Sequence, residues 1–220
     1  MTRRSWSWLP ALALALVPLA ASAEDAGKAA RKAAAESQLK KQNVANSLEN
    51  LQNAAMRGDV ALVTTLLDAG VDPNAKSQEM PRSVLAMATS MSCLVKQADP
   101  AARDAVIAAL LAAGADPNSV EMGDVPLLVY VAQKCPRPVI DALVKGGAKL
   151  DARSPQGFTA LSMALLVGNV DAAEALVDQG ARLSAEARAK LVTEPPTDPR
   201  VMALLKRAWG PPASAPGRQP

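Results

Sequence analysis

Apolar and polar positions recur along this chain in a fixed pattern. Val60, Val63, Leu66 and Leu67 fall at the three-and-four spacing of a helix that buries one face. The run closes with Asp68-Ala69-Gly70 and passes into Val71-Asp72-Pro73-Asn74. It has three echoes. One runs from Ile107 to Gly114 and on through Ala115-Asp116-Pro117-Asn118. Another runs from Ala142 to Gly147 and on through Ala148-Lys149-Leu150-Asp151, and the last from Ala175 to Gly180 and Ala181-Arg182-Leu183. Each apolar helix runs into a glycine, the residue that most readily takes the left-handed, helix-ending conformation. The first two then enter a turn rich in Asp, Pro and Asn. The glycines at 70, 114, 147 and 180 stand 44, 33 and 33 residues apart. A period of 33 with one insertion of 11 predicts a repeat array, in which no hairpin buries its own apolar face and each leans on the next.

A second apolar stretch precedes each run. These are Leu51-Gln52-Asn53-Ala54-Ala55-Met56-Arg57-Gly58-Asp59, Ser83-Val84-Leu85-Ala86-Met87-Ala88, Val125-Pro126-Leu127, and Gly157-Phe158-Thr159-Ala160-Leu161-Ser162-Met163-Ala164. The last is followed by Gly168-Asn169-Val170-Asp171. With the spacing, these residues resemble the ankyrin-repeat family. Its unit is a turn, a first helix opening on a Thr-Pro-Leu-His-like sequence, a second helix and a Gly-Ala-Asp-Val-Asn-like exit. No unit here carries the full opening, and its histidine is missing because the chain has none. The resemblance spans residues 47–183. It implies an all-α solenoid of about four helix-turn-helix repeats, at 47–75, 76–118, 119–151 and 152–183, with a C-terminal helical cap at 184–209. It fixes no activity.

The insertion falls in the second repeat. Leu85 to Val106 is 21 residues where Leu127 to Val139 is 12, so the extra length lies between the two helices. Asp99-Pro100 reads as an N-cap followed by proline at the first helical position. Lengthened helices are therefore expected at 84–96 and 100–113, forming a hairpin that projects beyond its neighbours as an accessory contact. Beyond the fourth repeat Ser184 can cap a helix reaching Leu191. A last helix at 200–208 would lay Val201, Leu204 and Leu205 on the final repeat, with Trp209 beside them. Residues 210–220 are Pro-rich, lack large apolar residues, and are expected to be disordered.

At the other end, Arg3 and Arg4 precede an apolar stretch from Trp8 to Ala20, broken by Pro10 and Pro18, and then Ala21-Ser22-Ala23. This is the three-part anatomy of a secretory signal peptide over 1–23, with cleavage expected after Ala23. The run is shorter than the ~20 residues a span requires, so no stable membrane insertion is expected after cleavage. The expected place is a periplasm or the cell exterior. Residues 24–46 are rich in Ala and Lys and helical by propensity, with little to bury, so their first part should be solvated or frayed.

Export changes the charge. The signal holds two arginines and no acids, so 24 basic residues fall to 22 against 21 acidic ones, a net of +1. Only Tyr130, Phe158 and Trp209 remain as aromatics. Neither a basic face nor stacking platforms are present, which sets nucleic acid aside. The lack of histidine removes Ser-His and Cys-His pairs, and no phosphate-cradling glycine loop occurs. No catalytic residue, cofactor or metal is expected; two cysteines without histidine make no zinc site.

Cys93 and Cys135 each lie eight residues past an opening leucine, Leu85 or Leu127, which in stacked repeats puts them on one edge. Export favours a bridge. Against it, the family holds equivalent positions of successive units farther apart than the roughly 7 Å a disulfide spans, unless the inserted turn closes the gap. Both states stay open. Glu79-Met80 and Glu121-Met122 occupy matching positions before Leu85 and Leu127. The resemblance puts them at turn tips beside the concave, partner-binding face, with Arg82, Asp124, Gln156 and Phe158. It implies a monomeric protein-protein interaction module; the finer alternatives are an immunity protein that occludes a toxin and a membrane-associated envelope factor.

Overall fold

The computed structural model describes residues 17–77, 81–94, 99–121, 123–184, 187 and 199–208, the side chains of 17–22, 91, 92 and 94 excepted. Its elements in order are α1 (Val17–Lys41), α2 (Leu48–Arg57), α3 (Val60–Asp68), α4 (Val84–Leu94), α5 (Pro100–Ala112), β1 (Val120–Glu121), β2 (Val125–Pro126), α6 (Leu127–Val131), α7 (Arg137–Lys145), α8 (Ala160–Leu166), α9 (Val170–Asp178) and α10 (Pro199–Ala208). The fold is all-α apart from the two-residue strands, which pair antiparallel as Val120 with Pro126 and Glu121 with Val125. The first helices of the units, α2, α4, α6 and α8, form one row, and the second helices, α3, α5, α7 and α9, form another. At the ends of this second row lie α1 against α3 and α10 against α9.

One local device, used four times, sets this order. Gly70, Gly114, Gly147 and Gly180 have φ between 87° and 99°, the left-handed region where any side chain would be strained. The residue after each glycine donates its N–H to the leucine four before that glycine: Val71 to Leu66, Ala115 to Leu110, Ala148 to Leu143, Ala181 to Leu176. This is the 6→1 bond of a Schellman cap. It reverses the chain and fixes the register of the next hairpin. The four leucines are fully buried, as are Val63, Ile107, Ile140 and Ala173 three residues earlier. In the first row Leu51, Leu85, Leu127 and Leu161 are equally buried. Each such leucine contributes about 1.5–3 kcal/mol relative to exposure, and does so only when the neighbouring hairpin is in place.

The exit turns are also tied to one another. Asn74 Nδ2 donates to the Gly114 carbonyl at 2.8 Å while its Oδ1 accepts from Asp116 N at 2.7 Å. Asn118 repeats the bridge, to the Gly147 carbonyl at 3.0 Å and Lys149 N at 2.9 Å. Asp72 and Asp116 hold each asparagine's own N–H, both at 2.8 Å. The third exit breaks the pattern: Lys149 replaces the aspartate and Asp151 the asparagine. A carboxylate has no N–H to give the next carbonyl.

The last repeat is held by charge and by the cap instead. Leu204, Leu205 and Ala208 of α10 are buried on it while Lys206 and Arg207 are exposed. Arg207 pairs with Asp178 at the end of α9, and Arg137 of α7 reaches the same carboxylate at 2.7 Å and Asp141 at 3.3 Å. The guanidiniums of Arg207 and then Arg137, hydrogen-bonded to Asp178, hold its carboxyl below the usual carboxylate range. Arg200 pairs with Glu174 at 3.2 Å and Asp171 at 3.3 Å. The helix expected after Ser184 lies mostly outside the described residues; Ser184 Oγ does accept from Ala187 N at 3.2 Å. Trp209 and residues 210–220 lie outside them too.

The ends and the insertion differ in detail from expectation. Residues 24–34 are helical and solvent-exposed; of the residues of α1 whose side chains are described, Ala35 and Leu39 are buried. The helix runs unbroken through Ala23, and residues 1–16 lie outside the described set. The inserted hairpin has helices of 11 and 13 residues, α4 and α5, against 5 and 9 for α6 and α7. Residues 95–98 at its tip are not among those described. The hairpin is longer than its neighbour, but it is moored.

These ties can be measured. Asn118→Ala should lower the unfolding free energy by about 1–2 kcal/mol, two net hydrogen bonds' worth, and Asp151→Asn should raise it by less, Lys149 leaving its turn unbraced; urea denaturation reads both. Because the folded pKa of Asp178 is depressed, its pairs contribute fully above the unfolded value of about 3.9 and are lost as pH falls through the folded value. Between pH 6 and pH 3 the denaturation midpoint of Asp178→Asn should therefore fall less than that of the wild type.

Candidate partner-binding surface

The expected surface is built where the turns meet the first helices. Ser83 caps α4, accepting from Ala86 N at 3.1 Å, and its hydroxyl meets that of Ser119 in the next turn at 3.1 Å. Leu127 N donates to the Ser119 carbonyl, and β1 and β2 stiffen the turn tip between them. At that tip Asp124 sits in the left-handed region, φ 58°, a conformation Asp tolerates better than most residues. In the fourth repeat Ser154 and Phe158 close the turn: Ser154 N donates to the Phe158 carbonyl and Phe158 N to Ser154 Oγ. Thr159 and Ser162 then form a reciprocal capping box that starts α8.

The predicted site residues separate into two groups. Asp124 and Gln156 are exposed and Phe158 half-buried, so these three stand on the outside of the turns. Glu121 does not. Its side chain is 1% exposed and takes Arg82 Nε on Oε2 at 2.7 Å. The alternation along β1 explains the difference, because Val120 faces solvent and Glu121 must then face the helices. Arg82 is equally occupied: Nη2 donates to Ser90 Oγ at 2.7 Å and the guanidinium lies 5.4 Å from the centre of the Tyr130 ring. Expected as partner contacts, Arg82 and Glu121 instead fasten the second turn to the third. Glu79, Met80 and Met122 lie outside the described residues.

Sequence reasoning missed several participants. Ser90 and Tyr130 hold Arg82, and only their place two turns into α4 and one turn into α6 hinted at it. Leu166 is 65% exposed at the end of α8, beside exposed Val167. Large apolar residues left in water at the end of an inner helix enlarge the surface available to a partner.

Farther along α4, and just past the end of α6, the cysteines meet. Cys93 and Cys135 are joined, with Cα atoms 5.1 Å apart. The mismatch of helix lengths allows this approach: α6 ends at Val131 and the chain turns back, Cys135 N donating to the Val131 carbonyl, while α4 continues past it. Beside the bond lies a cleft of about 120 Å³ bordered by Ser90, Tyr130, Gln133 and Lys134. Among the described residues no group of three or more Cys, Asp or Glu is placed to hold a metal ion, and no helix is long and apolar enough to cross a membrane.

A known protein of similar sequence bears on this architecture. Over 132 residues the chain is 33% identical to cyclin-dependent kinase 4 inhibitor B of Bos taurus, an overlap of 58% of this chain and 88% of that protein, itself built of ankyrin repeats. The chain is an ankyrin-repeat protein. No family model matches it. The ankyrin assignment makes it a protein-protein interaction module in the coarse sense. In this ankyrin stack Asp124 and Gln156, at the tips of the third and fourth repeats, are exposed, while Arg82 and Glu121 belong to the scaffold.

That division has a measurable consequence. Arg82→Leu should cost about 2–4 kcal/mol, because it strands the Glu121 carboxylate away from water, and adding Glu121→Gln should recover part of the loss. Guanidinium denaturation of the two variants measures it; equal stability of Arg82→Leu and wild type would return Arg82 to the partner surface.

Proposed function

We propose that this chain is exported and, without catalysing a reaction, holds a protein partner in the periplasm or outside the cell. The partner lies against the turn tips of the third and fourth repeats and the adjoining ends of the first helices. The observation that carries the reading is the sorting of side chains between surface and scaffold. Asp124, Gln156, Val120 and Leu166 are exposed and Phe158 is half-buried, whereas Arg137, Asp141, Asp171, Glu174, Asp178, Arg200 and Arg207 are paired with one another across α7, α9 and α10. The mixture of one charge, an amide and apolar groups suits a folded protein surface. The signal-like start supports export.

A narrower reading is inhibition. The bovine relative is by name an inhibitor, and a stiff ankyrin stack can occlude the working face of an enzyme without chemistry of its own. An immunity-like role against a toxic enzyme is the form this would take in an exported chain.

A photo-crosslinking residue placed at Asp124 or Gln156, in the envelope of the producing cell, should trap one protein species. The same residue at Asp141 on the outer row should not. Capture from Asp141 with none from the tips would overturn the reading. Asp124→Lys combined with Phe158→Ala should abolish capture with the thermal transition in place, since the Ser154–Phe158 turn is held by the backbone and Ser154. Adding the purified chain to the trapped partner then separates the readings: an inhibitor lowers the partner's activity in proportion, and an adaptor leaves it unchanged.

A further inference from the structure

The bridge joins a sulfur in the core to one at the core's edge. Cys135 is 2% exposed, but Cys93 is only half-buried, and both border the cleft. A thiol entering the cleft meets Cys93 first. Lys134 borders the same cleft, is exposed, and adjoins Cys135 in the chain. An ammonium so placed favours a thiolate on the departing sulfur. The Thr89 carbonyl lies 3.8 Å from Cys135 Sγ, an acceptor that a bonded sulfur cannot use and a free thiol can.

We propose that Cys93–Cys135 is a thiol–disulfide exchange site, opened at Cys93 by a dithiol, either a small molecule or a dithiol protein, that reaches it through the cleft. The incoming thiolate attacks Cys93 Sγ. A new sulfur–sulfur bond forms there as the Cys93–Cys135 bond breaks, and its electron pair leaves on Cys135 Sγ, which takes a proton from solvent. The reductant's second thiolate then displaces Cys93 from the mixed disulfide, and Cys93 is protonated in turn. Two electrons and two protons have passed from the dithiol, now a disulfide, to the protein. A bridge with one sulfur that a thiol can reach is open to exchange of this kind.

What is released is local. The bond lies near the end of α4, past the point where α6 stops, while Leu85, Thr89, Leu127 and Val131 keep the two helices packed without it. Opening it unmoors the inserted hairpin and removes one wall of the cleft, leaving the stack standing. The exchange site is thus a latch on the one part of the array that outgrows its neighbours.

The test uses the folded full chain. Reduced glutathione is added at pH 8, the reaction is stopped with acid and alkylated, and peptides are read by mass spectrometry. The expected result is glutathione on Cys93 and the alkyl group on Cys135, with Lys134→Gln slowing the exchange about threefold. Dithiothreitol without denaturant should then open the bond fully and raise amide hydrogen exchange near the end of α4 but not in α8 or α9. Glutathione on Cys135, an unchanged rate in Lys134→Gln, a bond that resists until the chain is denatured, or exchange that rises equally throughout would each overturn the proposal.

Discussion

The whole molecule depends on a turn that sends the chain back after each second helix. Gly70, Gly114, Gly147 and Gly180 can adopt the required φ at no steric cost, and the next N–H after each of them closes on a buried leucine. That closure does two things at once. It satisfies helix-end carbonyls that would otherwise need water, and it points the next hairpin at the apolar face of the one just made. Burial is then a result of register. Leu66, Leu110, Leu143 and Leu176 occupy one column because four identical turns put them there. Shifting one turn by a residue would rotate every later apolar face away from its neighbour, which is why the insertion of 11 lies between two helices and not in an exit.

Sequence made the column of glycines and leucines plain, since a helix that ends the same way four times needs only counting. The lengthened helices could also be read, because Asp99-Pro100 marks where the second one starts and α5 does begin at Pro100. At the turn tips Asp124 and Gln156 are exposed and Phe158 is half-buried. Glu121 fails it for a reason that no helical period contains. Two residues of strand suffice to send Val120 out and Glu121 in, and so short a strand leaves no alternating pattern to detect. The partners of Arg82 were hidden likewise: Glu121 lies 39 residues away and Tyr130 farther still, and charge complementarity at that distance cannot be told from chance.

The bridges between exits were half visible. Asp-Pro-Asn reads as turn chemistry, which Asp72 and Asp116 supply, but the asparagine amides look outward to the next repeat. One side chain thereby joins local turn geometry to the spacing of the stack. Where Lys149 and Asp151 replace the pair, the burden moves to Arg137, Asp178 and Arg207, groups with flexible side chains in partial contact with water. Such pairs hold less firmly than amides clamped on backbone.

This shift makes the stack uneven along its length, and the unevenness bears on where a partner would sit. The first two junctions are clamped by asparagine, and the second is fastened again by Arg82 on Glu121 and by the cysteine bridge. The third repeat therefore offers Asp124 beside a junction tied by asparagine, arginine and cysteine, while the fourth offers Gln156 and Phe158 from a unit held by packing, exposed ion pairs and the α10 cap. A partner spanning both tips would meet a fixed anchor and a more yielding neighbour. Binding would then add the junction contact that Asp151 does not make, so ordering of the fourth repeat and partner affinity would be drawn from the same free energy. An ion-pair network at this end tolerates small rotations of one hairpin on the next, which a second amide clamp would forbid.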